Sequence, residues 1–422
     1  MKFVLAFYGT RGDVEPGVAL GRELLRRGHI VRMAVPPDLT GFAESAGLQA
    51  VAYGPDIQAW LESTRNFWAR FFRTFWKVGE LKDLLQESRA PGTRAWGGMS
   101  AVLTSLTDGA DLVLTGVSFE ELAANVAEYR GLSFATLVWF PIRVNGYIVP
   151  ILPAPLIRSA MKVYEWLIWR GVKKAQDAQR GELGLPTVTS PVPRRIAEQG
   201  SLEIQAYDEV CFPGLAAEWA RWGDKRPFVG TLTMELATEA DAEVASWIAA
   251  GTPPICFGFG SIPVESAADT LAMIRVACTR LGERALVCAA ASDFRGEPED
   301  DHVKVVSAMN YAAVFPSCRA VVHHGGAGTT AAGLRAGVPT LILWMADVQV
   351  IWGAAVRQLK VGTSRRFSAT TETSLVADLR TILAPDYRAR AREVAARMTR
   401  PADSVAAAAD HLEKYVSERG LG

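Results

Sequence analysis

Two stretches of this chain hold residue types that do chemistry together. His323-His324-Gly325-Gly326-Ala327-Gly328-Thr329-Thr330 sets two imidazoles and a run of glycines between the apolar Arg319–Val322 and a helical pattern over Thr329–Ala336. The glycines therefore fall at a strand-to-helix turn. There, unpaired backbone N–H groups and the positive end of a helix dipole meet an anion such as a diphosphate, and His324 adds a side-chain donor. The plainer reading is a tight turn beside a core histidine, but paired histidines before Gly-Gly-x-Gly-Thr-Thr are an odd way to build one. Near the start, Asp13 follows the first apolar run in Gly9-Thr-Arg-Gly12-Asp13. Its carboxylate reads either as a general base projecting into a cleft or as the N-cap of a helix beginning at Val14, with Glu15 in its first turn.

The elements that must position these groups alternate between short apolar strands and helical patterns, as in a parallel doubly wound sheet. In the first half, Phe3–Tyr8, Ile30–Val35, Asp111–Thr115 and Ala135–Phe140 read as strands, with helices over Val14–Arg27 and about Phe119–Tyr129. The second half starts again after Pro213 and the loop Trp222–Pro227. Pro253–Gly258, Leu286–Ala290, Val303–Val306, Ala320–Val322 and Thr340–Leu343 read as the strands of a second Rossmann-like sheet. In such sheets ligands bind outside the carboxyl ends of the strands, so Asp13, Ser261 and His324 all fall where a shared cleft would lie.

The segment from His323 through Gly337-Val338-Pro339 to Gln349 and Gly353 resembles the nucleotide-sugar signature of family 1 glycosyltransferases. Independently, Phe7-Tyr-Gly-Thr-Arg-Gly-Asp-Val-Glu-Pro16 resembles the opening turn of that family's bacterial sterol, glycopeptide-antibiotic and mycobacterial glycopeptidolipid branch. No Gly-x4-Gly-Lys-Ser/Thr loop competes with this assignment. The resemblance implies an α/β, GT-B architecture of two Rossmann-like domains facing across a cleft. Residues 1–215 would form the acceptor domain, 228–400 the nucleotide-sugar domain, and 401–422 a helix returning to the first domain.

It further implies that Asp13 is the general base and that His324 donates to the diphosphate. Gly12, Gly325, Gly326, Ala327, Gly328 and Thr329 would complete the donor contacts. Ser261, after Gly258-Phe-Gly260, matches the family's Gly-Ser turn on the same phosphates. Taken alone, that turn lacks the third glycine of a dinucleotide fingerprint and does not argue for NAD. Where the family holds sugar hydroxyls with an Asp-Gln pair, this chain has Asp347-Val348-Gln349, the carboxylate one residue early. A displaced carboxylate meets a different sugar edge, which leaves room for a 6-deoxyhexose in place of glucose. The run Trp352–Phe367 most resembles the glycopeptidolipid transferases, which implies a glycolipid or lipopeptide acceptor, with an antibiotic-like or sterol aglycone as the alternative. The implied reaction is an inverting sugar transfer from a dTDP- or UDP-sugar, with no metal or other cofactor because oriented N–H groups stabilise the leaving diphosphate.

The acceptor side is marked by aromatics. From Trp60 to Val78, seven aromatic residues share one half of a helical wheel, with Arg70, Arg73 and Lys77 opposite. This suits the lip of a lipid-binding cleft, an interfacial helix, or an ordinary core helix in equal measure. A second cluster, Met161–Arg170, favours a wide apolar acceptor site, with Trp68, Phe72 and Trp139 as contacts.

Composition narrows the classes. The 422 residues are 49% hydrophobic, enough for two cores. Lys+Arg and Asp+Glu stand at 45 each, so no basic field invites nucleic acid. Five scattered cysteines inside apolar runs read as buried free thiols in a reducing compartment, with no metal site. The opening Met1–Tyr8 is too short for a signal core, and no run approaches the ~20 residues that span a bilayer. The expected location is the cytoplasm, with any membrane contact peripheral and at the inner face. Two other classes remain. A nucleotide-sugar epimerase would share the diphosphate site but has no use for a broad apolar cleft, and a silent sugar-nucleotide binder would not retain both Asp13 and His324.

Overall fold

A computed structural model describes residues 1–57, 95–148, 152–260, 266–289, 302–345 and 347–420, with Asp347 and Gly420 by their backbone alone. Two six-stranded sheets organise the chain, ordered β3-β2-β1-β4-β5-β6 and β12-β11-β10-β7-β8-β9. The first holds β1 (Lys2–Ala6), β2 (Ile30–Val35), β3 (Gln49–Ala52), β4 (Leu112–Thr115), β5 (Ser133–Val138) and β6 (Leu202–Gln205). The second holds β7 (Ile255–Gly258), β8 (Ala285–Cys288), β9 (Val303–Val306), β10 (Ala320–His323), β11 (Thr340–Trp344) and β12 (Gly362–Arg366). Every pairing is parallel. The central strands are buried on both faces, as Phe3 to Ala6 and Ile255 to Gly258 show, which is why they read as apolar runs without alternation.

Both sheets reverse winding direction once, between β1 and β4 in the first and between β7 and β10 in the second. A crevice opens at such a reversal outside the strand ends, and the loops leaving these four strands carry Gly9–Asp13, Gly116, Gly260 and His324–Gly326.

Several expected boundaries move. The first helix is Arg11–Arg26, three residues earlier than the Val14 start read from the sequence. Likewise the helix after β10 is Ala327–Arg335, two residues before Thr329. Strands β3, β6 and β12 were not expected.

The helix Pro401–Gly420 lies against the first helix: Arg27 reaches Asp410 at 2.6 Å and Glu413 at 2.8 Å, and His29 Nε2 lies 2.6 Å from the Glu413 carboxylate. One apolar cluster runs through both halves, from Phe3, Leu5 and Phe7 to Leu334, Trp352 and Leu412. All five cysteines are buried and free. Among the described residues, no helix is long and apolar enough to cross a membrane.

Candidate functional site

Asp13 sits on the first turn of the first helix. Thr10 caps that helix, and Asp13 closes the capping box from its third position, so it is not itself the cap. The Thr10 backbone N–H donates to Asp13 Oδ2 at 2.7 Å and the Thr10 hydroxyl at 3.0 Å. Gly9 makes room for this carboxylate: its φ is +140°, and a β-carbon there would collide with Asp13 Oδ2. Burial pushes the Asp13 carboxyl up to about 6, against the opposing hydrogen bonds from Thr10. A half-buried carboxylate poised near neutrality, with one oxygen held, is suited to accept a proton.

In the second sheet, the two histidines have different duties. His323 ends β10 fully buried, and its Nδ1 accepts the Gly325 N–H at 2.9 Å. It is therefore an Nε2-protonated, neutral residue that shapes the turn, and burial holds its pKa well below the usual value. His324 points into the reversal between β7 and β10. Its ring is clasped by two glycines: a β-carbon on Gly326 would lie 2.7 Å from Nε2, and one on Gly260 would lie 2.9 Å from the same nitrogen. Burial lowers the His324 pKa to about 4, outweighing the Gly258 backbone, so the ring is neutral at pH 7. Its Nδ1 is buried with no hydrogen-bond partner. A buried polar nitrogen without a partner is costly unless a ligand completes it.

Beside that ring, Gly326 caps the helix Ala327–Arg335 with no side chain over its end. The first intrahelical bond is Thr330 N–H to the Gly326 carbonyl, which leaves the N–H groups of Ala327, Gly328 and Thr329 directed outward, as any helix start does. The far end is anchored by Arg335, which donates to the carbonyls of Thr231 (2.7 Å) and Thr399 (2.8 Å) and to the Thr233 hydroxyl (3.1 Å).

The same linker joins the two half-sites. Met234 N–H donates to Glu15 Oε1 at 3.0 Å, two residues beyond Asp13, while Thr233 Cγ2 lies 3.7 Å from where a Gly328 β-carbon would stand. Asp13 and the diphosphate turn are thus held across one short strand of linker. Sequence reasoning missed this linker contact and the supporting glycines Gly9 and Gly260. The Thr10 cap was detectable, since Thr-x-x-Asp is close to a capping-box pattern.

The other expected contacts divide. Gly12 is exposed on the first turn, where a β-carbon would stand 3.8 Å from the Thr10 hydroxyl. Gln349 is buried beside Gly325 and its Oε1 accepts the Met345 N–H at 2.6 Å. Asp347 opens the helix Asp347–Gln358. Trp139 is only 6% exposed and packs over Gly116 in the main core, so at most an edge of it meets a ligand. Ser261, Trp68 and Phe72, like the whole Trp60–Val78 stripe, lie outside the described residues. Among the described residues, the Met161–Arg170 cluster divides between an inward and an outward side. Trp169 turns inward to donate to Gln176, while Val163, Trp166 and Leu167 face solvent.

Comparison with known proteins agrees with this geometry. The family model for the glycosyltransferase family 28 N-terminal domain matches residues 3–102, and that for the erythromycin biosynthesis protein CIII-like C-terminal domain matches 285–408. An uncharacterised glycosyltransferase of Mycobacterium tuberculosis is 61% identical over 98% of both chains. A sterol 3-beta-glucosyltransferase of Arabidopsis thaliana is 30% identical over 86% of this chain and 58% of its own. Among solved structures, the calicheamicin glycosyltransferase CalG4 aligns with a TM-score of 0.68 at 18% identity, covering 98% of each chain. Two parallel-sheet α/β domains and these relatives lead to one assignment: the chain belongs to the family 1 glycosyltransferases of GT-B fold and is a sugar-transferring enzyme related to the antibiotic and sterol enzymes.

Proposed function

We propose that the protein transfers a hexose or 6-deoxyhexose from a dTDP- or UDP-sugar to a hydroxyl of an apolar acceptor, a glycolipid or lipopeptide, with inversion at the anomeric carbon and no metal. The observation that carries this reading is the neutral imidazole of His324, whose Nε2 lies against Gly326 at an uncapped helix start, held across the linker from Asp13. The Asp13 carboxylate takes the proton of the acceptor hydroxyl as its oxygen attacks the anomeric carbon. The bond from that carbon to the diphosphate oxygen breaks, and the leaving charge is met by His324 and the N–H groups of Ala327, Gly328 and Thr329. One in-line displacement inverts the centre. A thymidine diphosphate donor is supported by two structural neighbours of TM-score 0.61 and 0.63 whose complexes hold that nucleotide. The 6-deoxyhexose rests on Asp347 standing one residue early.

The test is a thermal-shift panel of dTDP- and UDP-sugars, followed by NMR of the product anomer. A true donor at a hundredfold excess over its Kd stabilises the fold by ~2.7 kcal/mol. Stabilisation by no nucleotide sugar, or turnover of the donor to an epimer without any acceptor, would overturn the proposal.

A further inference from the structure

The long helix Ala154–Glu182 buries one stripe, including Ile157, Trp169, Gln176 and Arg180, and leaves the opposite stripe bare. Leu156, Val163 and Leu167 are 62%, 57% and 52% exposed, with Trp166 at their flank. Ala160 completes the spacing i, i+4, i+7, i+11, so these residues form one apolar face about 17 Å long. A contiguous face of this kind on a folded domain marks a contact surface.

Charge indicates which contact. Between residues 154 and 174 the cations are Arg158, Lys162, Arg170, Lys173 and Lys174, and the one acid is Glu165, half-buried on the inward side. Arg158 is occupied by Glu218 at 2.6 Å and Lys173 by Asp177 at 2.7 Å. Among the described residues Lys162, Arg170 and Lys174 make no ion pair, and Arg170 lies over the Trp166 ring, 5.6 Å from its centroid. The face therefore offers aliphatic side chains and a tryptophan, edged by cations and free of carboxylates. That combination matches the boundary between anionic headgroups and acyl chains.

We propose that this helix docks the enzyme on an anionic phospholipid surface. Leu156, Val163, Leu167 and Trp166 enter the headgroup boundary, and Lys162, Arg170 and Lys174 meet lipid phosphates. The inference does not depend on the donor or acceptor assigned above.

The test is sedimentation of the full chain with vesicles of phosphatidylcholine alone or with about a third phosphatidylglycerol. Binding to the anionic vesicles only, weakening with salt, is expected. Each cation removed should weaken binding about fivefold, so Lys162→Gln, Arg170→Gln and Lys174→Gln together should cost about a hundredfold. Leu156→Ser, Val163→Ser and Leu167→Ser together should abolish it. Both variants should keep wild-type melting and donor-induced stabilisation. With brominated lipid, Trp166→Phe should lose most of the fluorescence quenching. Equal binding to neutral vesicles, or undiminished binding by both variants, would overturn the proposal. It would equally fall if the serine variant lost self-association seen in the wild type, which would assign the face to a second copy. Newly fast proteolysis within residues 58–94 in that variant would assign it to that segment instead and refute lipid docking.

Discussion

Asp13→Asn separates catalysis from capping with the change of one heavy atom. The wild-type carboxyl is raised from 3.8 to about 6, burial being the main cause and the Thr10 hydrogen bonds opposing it. A rise of two units corresponds to up to about 3 kcal/mol between the protonation states. A raised pKa means the fold favours the protonated acid, so that stabilisation is complete below the unfolded value near 3.8 and is lost as pH climbs through about 6. At pH 8 the wild type carries a buried charge that the neutral Asn lacks, while the Asn Oδ1 still accepts from the Thr10 N–H and hydroxyl. The Asn variant should therefore melt higher than wild type at pH 8, with the gap closing toward pH 4. Its transfer rate should fall by ~10²–10⁴, and the wild-type rate should rise with pH through about 6 as the base ionises. Melting curves across pH and steady-state nucleotide release measure both. Wild-type turnover in the Asn variant would refute the base. A variant less stable at every pH would refute the burial argument and show that the Thr10 bonds to a charged oxygen dominate.

His324→Ala should weaken donor binding about tenfold to a hundredfold, the range for a hydrogen bond to a charged group. Its melting temperature should stay near wild type, because Nδ1 has no partner in the fold; a large melting loss with unchanged donor affinity in titration calorimetry would restore the core reading. Transfer should survive excess EDTA, and a rate restored only by added Mg2+ or Mn2+ would contradict leaving-group stabilisation by N–H donors. Arg143→Met should lower stability by ~3–5 kcal/mol in denaturant unfolding, because it strands the buried carboxylate of Glu120 and leaves Glu203 with Arg226 alone. Adding Glu120→Gln should restore part of that loss, whereas adding Glu203→Gln should not, because it would strand Arg226.

The sequence made the central strands plain because most are apolar on both faces; Ile30–Val35 and the edge strand Val303–Val306, apolar but for Arg32 and Lys304, agree with the structure residue for residue. The three strands it hid all lie at sheet edges. Gln49–Ala52 is mostly exposed and Gly362–Arg366 is polar, so neither makes an apolar run. Leu202–Gln205 is wholly buried, but its Glu203 is neutralised by Arg143 and Arg226, partners remote in sequence. For the proposed site, residue type and spacing singled out Asp13 and His324 as candidates. What they could not reveal was support from elsewhere in the chain: the Gly260 side of the imidazole clasp and the linker between the half-sites. The two helix starts were misplaced by two or three residues for a physical reason. Glycine and threonine serve equally as turn and as first turn of a helix, and only the cap hydrogen bonds decide between them.

Those corrected starts bear on how the enzyme works. With the helices beginning at Arg11 and Ala327, both chemical groups sit on or beside a rigid first turn. Asp13 is fixed by Thr10, and the N–H groups proposed to meet the diphosphate are fixed by the helix that Arg335 anchors at its other end. A general base and a leaving-group site contribute most when neither reorganises during reaction. The remaining freedom lies between the two sheets. It is limited by the Glu15–Met234 hydrogen bond, by Asp208 accepting the Thr399 N–H at 2.6 Å, and by the return of the last helix onto Arg27 and His29. These polar ties add to the apolar cluster shared by both halves, so on the proposed reading the base and the leaving-group site are held in a fixed relation to each other.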